Sequence, residues 1–119
     1  MIKVLLVDDS DVIRETIKQF LPEEGTLTVV GECSDGNEVL GYLANNEVDV
    51  ILMDVEMKDL GGIETTKLVS EAYPIIKIVG FSSHDQPTIK FDMLDAGASD
   101  YLLKETNIEI VRSRIKALI

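Results

Sequence analysis

The sequence predicts an α/β fold: a doubly wound, five-stranded parallel sheet with five helices on its two faces. Short apolar runs rich in β-branched residues alternate with longer segments of helical spacing, which gives the order βαβαβαβαβα. Three runs, Val4–Val7, Val50–Met53 and Ile78–Phe81, are nearly continuous apolar stretches, as expected for strands buried on both faces. The length of 119 residues is that of one domain, predicted to span residues 1–119.

Each predicted strand is short and is followed at once by a polar residue. This pattern matters because the carboxyl ends of parallel strands meet at one edge of the sheet, where ligands of such folds bind. The strands are predicted, in chain order, at Ile2–Val7, Leu27–Cys33, Val48–Met53, Ile75–Phe81 and Tyr101–Leu103.

Five helices are predicted from apolar residues spaced three or four positions apart, which places them on one face of a helix. Their marker residues, in chain order, are Ile13, Ile17, Phe20 and Leu21; Val39, Leu40 and Leu43; Thr65, Leu68, Val69 and Ala72; Ile89, Met93 and Ala96; and Ile108, Val111, Ile115 and Leu118.

Capping residues define the predicted helix ends. Side chains that accept hydrogen bonds favour the first turn, and proline or glycine favours a boundary. The predicted signals are Ser10 before helix 1, Asp35 with Glu38 at the start of helix 2, Tyr73-Pro74 after helix 3, Pro87 and Gly97 around helix 4, and a capping box of Thr106 with Glu109 at helix 5.

The charge balance excludes several classes of function. Eleven basic and 22 acidic residues give a net charge of −11, which argues against direct binding to nucleic acid or to an anionic membrane. No apolar run approaches the roughly 18–20 residues of a membrane-spanning helix. The single cysteine, Cys33, cannot form an internal disulfide, so a cytoplasmic location is expected.

Acidic residues, a hydroxyl and an amine follow the predicted strands. Asp8-Asp9 follows strand 1, Asp54 strand 3, Ser82 strand 4 and Lys104 strand 5. With the strand order 2-1-3-4-5, strands 1 and 3 are neighbours, so three carboxylates converge at the switch point. Each residue alone has an ordinary explanation as a turn, a helix cap or a surface group, but their common position at one edge favours a site.

Three carboxylates in one place raise each other's pKa unless a cation joins them. Mg²⁺ prefers oxygen ligands and commonly uses one or two carboxylates, waters and a phosphate oxygen. An open Mg²⁺ site beside a lysine and a serine is suited to phosphoryl transfer, because cations neutralise the phosphoryl oxygens while an aspartate attacks in line.

At these residues the chain resembles the receiver domain of two-component response regulators, which has a flavodoxin-like fold. The resemblance runs from end to end and is specific as an ordered set. The matching pieces are VLLVDDS at 4–10, VVGECSDG at 29–36, DVILMDVEM at 49–57, GGIE at 61–64, IVGFSS at 78–83 and AGASDYLLKE at 96–105.

The resemblance implies a role for each matching residue of the metal and phosphoryl site. Asp54 matches the phospho-accepting aspartate, and Asp8 with Asp9 matches the acidic pair that binds Mg²⁺, for which Mn²⁺ is expected to substitute. The backbone carbonyl of Glu56 matches a further metal ligand, as does Asp54 itself. Ser82 matches the hydroxyl residue that turns towards the phosphoryl group.

Further matches concern charge pairing, switching and the lifetime of the phosphoryl group. Lys104 matches the lysine that pairs with the phosphoryl group, and Tyr101 the aromatic whose rotamer couples to Ser82. The side chains of Glu56 and His84 match positions that tune dephosphorylation. Lys58 and Glu105 stand where the family usually or often has proline, and neither departure touches the acceptor site. Sequence details are closest to receivers of helix-turn-helix regulators or of the chemotaxis methylesterase branch.

The resemblance implies a signalling module rather than an enzyme. A histidine kinase or phosphotransfer protein would donate a phosphoryl group to Asp54, followed by slow self-dephosphorylation. Phosphorylation would switch a surface formed by helix 4, strand 5 and helix 5, which contacts a partner, an effector domain or a second copy of the chain. The sequence leaves open whether the receiver stands alone or belongs to a longer regulator.

Three alternatives belong to other classes. A flavodoxin-like electron carrier needs a neutral, hydroxyl-rich loop after strand 1 for the flavin phosphate, whereas this loop reads Asp8-Asp9-Ser10-Asp11. A Mg²⁺-dependent phosphatase with an aspartate nucleophile usually carries Asp-x-Asp there, not an adjacent pair. A degenerate receiver would bind partners without phosphorylation, and the intact set of acceptor-site residues argues against it.

Overall fold

The computed structural model describes residues Met1–Ile119 and contains five parallel strands in one sheet, ordered β2-β1-β3-β4-β5. This confirms the predicted fold class and strand order. The strands are β1 (Ile2–Val7), β2 (Leu27–Cys33), β3 (Val50–Met53), β4 (Lys77–Ser82) and β5 (Asp100–Leu103). The helices are α1 (Asp11–Phe20), α2 (Val39–Asn45), α3 (Gly62–Ala72), α4 (Pro87–Ala96) and α5 (Ile108–Lys116).

Alternate residues of the central strands pack into two apolar layers, one on each face of the sheet. Leu5 and Ile51 belong to the layer that contains residues of α2, α3 and α4. Val4 and Val50 belong to the layer that contains residues of α1 and α5. Because side chains alternate across a strand, the continuous apolar runs are explained by burial on both faces. None of the helices is both long and apolar enough to cross a membrane.

Four predicted strand boundaries are wrong by one or two residues. β3 begins at Val50 rather than Val48, since Asp49 Oδ2 instead accepts a hydrogen bond from the Lys3 amide at 2.8 Å. β4 begins at Lys77 rather than Ile75, because Ile75 lies 87 % exposed in the turn that follows α3. β4 also includes Ser82, and β5 begins one residue early, at Asp100.

The helix caps confirm most of the predicted boundaries. Ser10 Oγ accepts from the Ile13 amide at 3.2 Å, and Gly97 ends α4 with φ of +123°, in a region that favours glycine. Asp35 caps a single 3₁₀ turn, Gly36–Glu38, that leads into α2. Glu38 does not complete a capping box with Asp35, because its carboxylate accepts instead from the Ser34 hydroxyl at 2.8 Å.

The predicted capping box of α5 is wrong by one residue. Asn107, not Thr106, is the N-cap, and its Oδ1 accepts from the Glu109 amide at 2.8 Å. Thr106 lies in the turn after β5, where its amide donates to the Leu103 carbonyl at 2.9 Å. Thr106 therefore belongs to this turn and not to the start of the helix.

Of the two outer strands of the sheet, one is irregular and the other is short. β2 contains a bulge, because Val4 pairs with Val29 while Leu5 pairs with Gly31, which leaves Val30 unpaired. The Tyr42 hydroxyl donates to the Val30 carbonyl at 2.9 Å. β5, at the other side, has only four residues.

Candidate functional site

Four strands bring the predicted site residues to one edge of the sheet. Asp8 follows β1, Asp54 follows β3, Ser82 ends β4 and Lys104 follows β5. Asp8, Asp54 and Ser82 are buried, and Asp9 is exposed. An open cleft of about 210 Å³ lies over them. Its lining residues are Asp9, Asp54, Glu56, Ser82, Ser83, His84 and Lys104.

Three carboxylates and one ammonium group form the centre of this site. Oxygen atoms of Asp8, Asp9 and Asp54 lie within 4.8 Å of one another. Lys104 Nζ lies 2.9 Å from Asp8 Oδ2 and 3.2 Å from Asp54 Oδ1. Lys104 therefore balances one of the two buried charges and leaves the cluster negative.

The pKa of Asp54 is raised to about 6, first by its burial and then by the charge of Asp8, despite the opposing effect of Lys104. Burial alone would lower the pKa of Lys104. Hydrogen bonding and charge from Asp8 and Asp54 outweigh that effect, so the pKa of Lys104 is raised. The site thus holds a buried carboxylate that is costly to ionise and a lysine that stays charged.

The donor set fits a hard divalent cation. Asp8 Oδ1 accepts from the Ser10 amide at 2.9 Å, and its buried Oδ2 is in contact with the Lys104 ammonium but lacks a hydrogen bond of good geometry. The single charge of Lys104 is shared between two buried carboxylates, so a further cation would satisfy the charge that remains. Oxygen ligands that carry excess negative charge are those that Mg²⁺ prefers.

A chain of hydrogen bonds joins Ser82 to Tyr101 through the backbone of His84. Ser82 Oγ accepts from the His84 amide at 3.1 Å, and the Tyr101 hydroxyl donates to the His84 carbonyl at 2.5 Å. The Tyr101 ring is buried against β4, where a Cβ on Gly80 would lie 2.6 Å from Tyr101 Cδ1. The absence of a side chain at Gly80 therefore makes room for the ring.

Glu56 and His84 form a contact at the mouth of the cleft. His84 Nε2 lies 2.5 Å from Glu56 Oε1, and the two residues belong to the loops after β3 and β4. The pair therefore links two loops that border the phosphoryl site predicted at Asp54.

Two residues that shape the loop after Asp54 were not predicted as part of the site. Asp35 Oδ1 accepts from the Asp59 amide at 2.9 Å, and its Oδ2 accepts from the Leu60 amide at 3.0 Å. A Cβ on Gly62 would lie 2.0 Å from the Asp54 carbonyl oxygen. Asp35 therefore holds the loop after Asp54, and Gly62 lets α3 begin against the backbone of Asp54.

These backbone bonds explain the acidity of Asp35. Burial would raise its pKa, but bonds from the amides of Asp59, Leu60, Asn37 and Gly36 outweigh burial, so the pKa of Asp35 is lowered. The Asp-Gly pair after β2 indicated only a helix cap. Nothing in the local sequence indicated a contact 25 residues away.

Comparison with known proteins supports one family over nearly the whole chain. The model of the response regulator receiver domain matches residues 4–116. The response regulator UvrY of Escherichia coli strain K12 is 35 % identical over 118 residues, which cover 99 % of this chain and 54 % of UvrY. The transcriptional regulatory protein DegU of Brevibacillus brevis is 32 % identical over 117 residues, covering 98 % of this chain and 50 % of DegU.

The fold comparison agrees with the sequence comparison. The response regulator domain of Thermotoga maritima CheB superposes with a TM-score of 0.90 at 29 % identity, over 99 % of this chain and 96 % of that one. The chain spans about half the length of the curated relatives it matches.

Proposed function

The chain belongs to the response regulator receiver family, whose members carry phosphorelay signals, and from this premise we propose that Asp54 is its phospho-acceptor. A histidine kinase or a phosphotransfer protein would supply the phosphoryl group with Mg²⁺ as the cofactor. The observation that carries the proposal is the convergence of Asp8, Asp9 and Asp54 beside Lys104 at one edge of the sheet.

Asp8, Asp9, Asp54 and the Glu56 carbonyl would hold the Mg²⁺, or Mn²⁺ in its place. When bound, the cation neutralises charge on the phosphoryl oxygens. A carboxylate oxygen of Asp54 attacks phosphorus, and the donor's phosphorus–nitrogen bond breaks with its electron pair leaving on the imidazole. Lys104, already held by Asp8 and Asp54, stabilises the charge on the transferred group.

We propose that Ser82 and Tyr101 carry the switch. The Ser82 hydroxyl accepts a bond from the His84 amide, and its own hydrogen can donate to a phosphoryl oxygen on Asp54. A movement of Ser82 towards Asp54 would pull on the backbone amide of His84, the residue whose carbonyl accepts from Tyr101 in the next peptide unit. The position of Tyr101 would therefore depend on phosphorylation, in keeping with a ligand that shifts a pre-existing equilibrium.

The surface of α4, β5 and α5 is the proposed output surface. Tyr101 belongs to β5, and Phe91 of α4 and Ile110 of α5 are at least half exposed. A second copy of the chain or an effector domain would dock there. We do not assign DNA binding to residues 1–119 themselves, which form the proposed receiver domain, because their net charge of −11 opposes it.

We propose that the chain acts as a phospho-acceptor in the cytoplasm and not as an enzyme that turns over a substrate. Slow self-dephosphorylation is its only expected reaction besides acceptance. Glu56 and His84 join across the cleft, where their contact would limit the approach of water to a phosphoryl group on Asp54.

Labelling with acetyl phosphate tests the proposal directly. Wild-type protein in MgCl₂ should gain one phosphoryl group by intact mass, and the adduct should be stable in acid and labile in base. Asp54→Asn should abolish the adduct, because the amide oxygen is a poor nucleophile. Asp92→Asn, at an exposed position on α4, is the matched control and should label like wild type.

Two outcomes would overturn the assignment. Full labelling of Asp54→Asn would place the acceptor elsewhere. A wild-type protein that takes no label from acetyl phosphate or from any tested kinase would instead favour the degenerate receiver, which binds partners without phosphorylation.

A further inference from the structure

Arg14, in the first turns of α1, makes three polar contacts that join three parts of the chain. Its Nη1 donates to the Asp8 carbonyl at 2.5 Å, and its Nε donates to Glu32 Oε1 of β2 at 2.8 Å. Its Nη2 donates to Asp11 Oδ1. The Arg14 side chain is only 12 % exposed. A planar guanidinium whose three nitrogens each donate a hydrogen bond is fixed in orientation.

The carbonyl that Arg14 holds belongs to the peptide between Asp8 and Asp9. Since a peptide unit is planar, fixing the Asp8 carbonyl also fixes the Asp9 amide and the position of the Asp9 Cα, so the point from which the Asp9 side chain leaves the backbone is held. The two aspartates differ in what else holds them. The Asp8 carboxylate is held by the Ser10 amide and by Lys104, whereas the Asp9 carboxylate is exposed and has no hydrogen bond or ion pair to the protein.

We infer that Arg14 is a positioning residue for the metal site, one that orients Asp9 towards the cation through the Asp8–Asp9 peptide. The inference rests on the proposed function, in which Asp9 is a Mg²⁺ ligand. Arg14 does not touch the cation or the phosphoryl group in this arrangement. Its contribution is to reduce the number of orientations that the outermost ligand can adopt before the metal binds.

Charge and geometry predict opposite effects when Arg14 is replaced. Arg14 carries a positive charge one peptide away from a cation ligand, so its removal should strengthen Mg²⁺ binding if charge alone matters. If positioning matters, its removal should weaken binding, because Asp9 loses its orientation. Partners that orient metal ligands commonly contribute severalfold or more to metal affinity.

The test compares Arg14→Met, Arg14→Lys and Lys18→Met, with Mg²⁺ dissociation constants measured from amide chemical shifts in MgCl₂ titrations at fixed ionic strength. Arg14→Met should bind Mg²⁺ about 10-fold more weakly than wild type, at the lower end of the range for residues that orient metal ligands. Arg14→Lys keeps the positive charge, but an ammonium group cannot reproduce the planar arrangement in which Arg14 donates to three acceptors. This variant should therefore also bind Mg²⁺ more weakly than wild type. Lys18→Met is the control, because Lys18 pairs with the same Glu32 but not with the Asp8 carbonyl.

A double variant tests whether Arg14 acts through Asp9. Asp9→Asn alone should weaken Mg²⁺ binding, and adding Arg14→Met should produce no further loss. Additive losses would show that Arg14 acts by another route and would overturn the inference. Thermal unfolding shows independently whether each variant is folded. If Arg14→Met does not fold, the Mg²⁺ affinity of Arg14→Lys tests the inference in its place.

The remaining outcomes are also decisive. Equal or tighter Mg²⁺ binding by Arg14→Met or Arg14→Lys would overturn the inference, as would an equal loss in Lys18→Met. If Asp9→Asn binds Mg²⁺ like wild type, the proposed metal site fails and the inference fails with it. Normal wild-type binding that is sensitive to Asp9 but not to Arg14 overturns the inference alone.

Discussion

Asp54 is 4 % exposed, and its carboxylate shares one ammonium group with the carboxylate of Asp8. Its pKa of about 6 in the folded protein compares with an ordinary value of 3.8. Between these pH values the folded chain binds a proton that the unfolded chain does not bind. Asp54 therefore destabilises the metal-free protein at neutral pH, and this cost declines as the pH falls from about 6 to 3.8.

This linkage predicts that Asp54→Asn is more stable than wild type at pH 7 without Mg²⁺. The expected difference in the free energy of unfolding is about 1–3 kcal/mol, from about 1.4 kcal/mol per pKa unit. The difference should shrink towards zero near pH 4. Urea denaturation of both proteins between pH 4 and 8 measures it. If wild type is instead more stable than the variant at pH 7, the attraction between Asp54 and Lys104 exceeds the combined cost of burying Asp54 and of its repulsion by Asp8.

Single residues also show where sequence reasoning succeeds. Asp8, Asp9, Asp54, Ser82 and Lys104 were predicted to converge because each follows a strand, and parallel strands share one carboxyl edge. Arg14 and Asp35 could not be predicted as parts of the site in this way. Both act on backbone groups of loops, and the path of a loop is not encoded in apolar periodicity.

At the level of elements, strand β4 accommodates the Tyr101 ring of β5 only because position 80 has no side chain. We predict that Gly80→Ala displaces the ring and breaks the bond from its hydroxyl to the His84 carbonyl, since the new Cβ would lie 2.6 Å from Tyr101 Cδ1. Overpacking of this kind costs about 1–3 kcal/mol. The ¹⁹F shift of fluorotyrosine at position 101 reports the displacement.

Gly41→Ala is the matched control for Gly80→Ala. A Cβ at Gly41, within α2, meets no atom within 4 Å, so the control should leave the fluorotyrosine signal unchanged and slightly stabilise the helix. Beryllofluoride with Mg²⁺ should shift the signal in wild type and in Gly41→Ala, but much less in Gly80→Ala. An identical response in all three proteins would contradict the role of Gly80.

Element boundaries were less predictable than element types. All five strands and all five helices occur in the predicted order, because burial on one or two faces imposes a regular pattern. The error at α5 arose because threonine and asparagine both cap helices well. The choice between Thr106 and Asn107 depends on a turn after β5, which competes for the same residues.

At the scale of the whole molecule, the excess of acidic residues creates a negative electrostatic potential that attracts any cation. The net charge of −11 predicts that NaCl stabilises the protein modestly by screening repulsion. MgCl₂ at equal ionic strength should stabilise it further, because a ligand that binds only the folded state adds to its stability. Thermal unfolding in the two salts measures both effects.

Asp9→Asn separates screening from site binding. The variant should keep the response to NaCl and lose most of the additional stabilisation by MgCl₂. If MgCl₂ and NaCl stabilise wild type equally at the same ionic strength, Mg²⁺ acts only as a screening ion and the acidic cluster is not a binding site.

The outer strands of the sheet restrict how this chain can be recognised. Unpaired backbone groups along a sheet margin are a template to which a foreign strand can add. Here the bulge at Val30 interrupts one margin, Tyr42 occupies the carbonyl of the bulged residue, and the other margin is only four residues long. Strand addition, and the aggregation that follows from it, is therefore disfavoured at both margins. Reversible partners are therefore expected to contact helices and loops, which are the parts of the molecule that the proposed phosphoryl group on Asp54 would be placed to move.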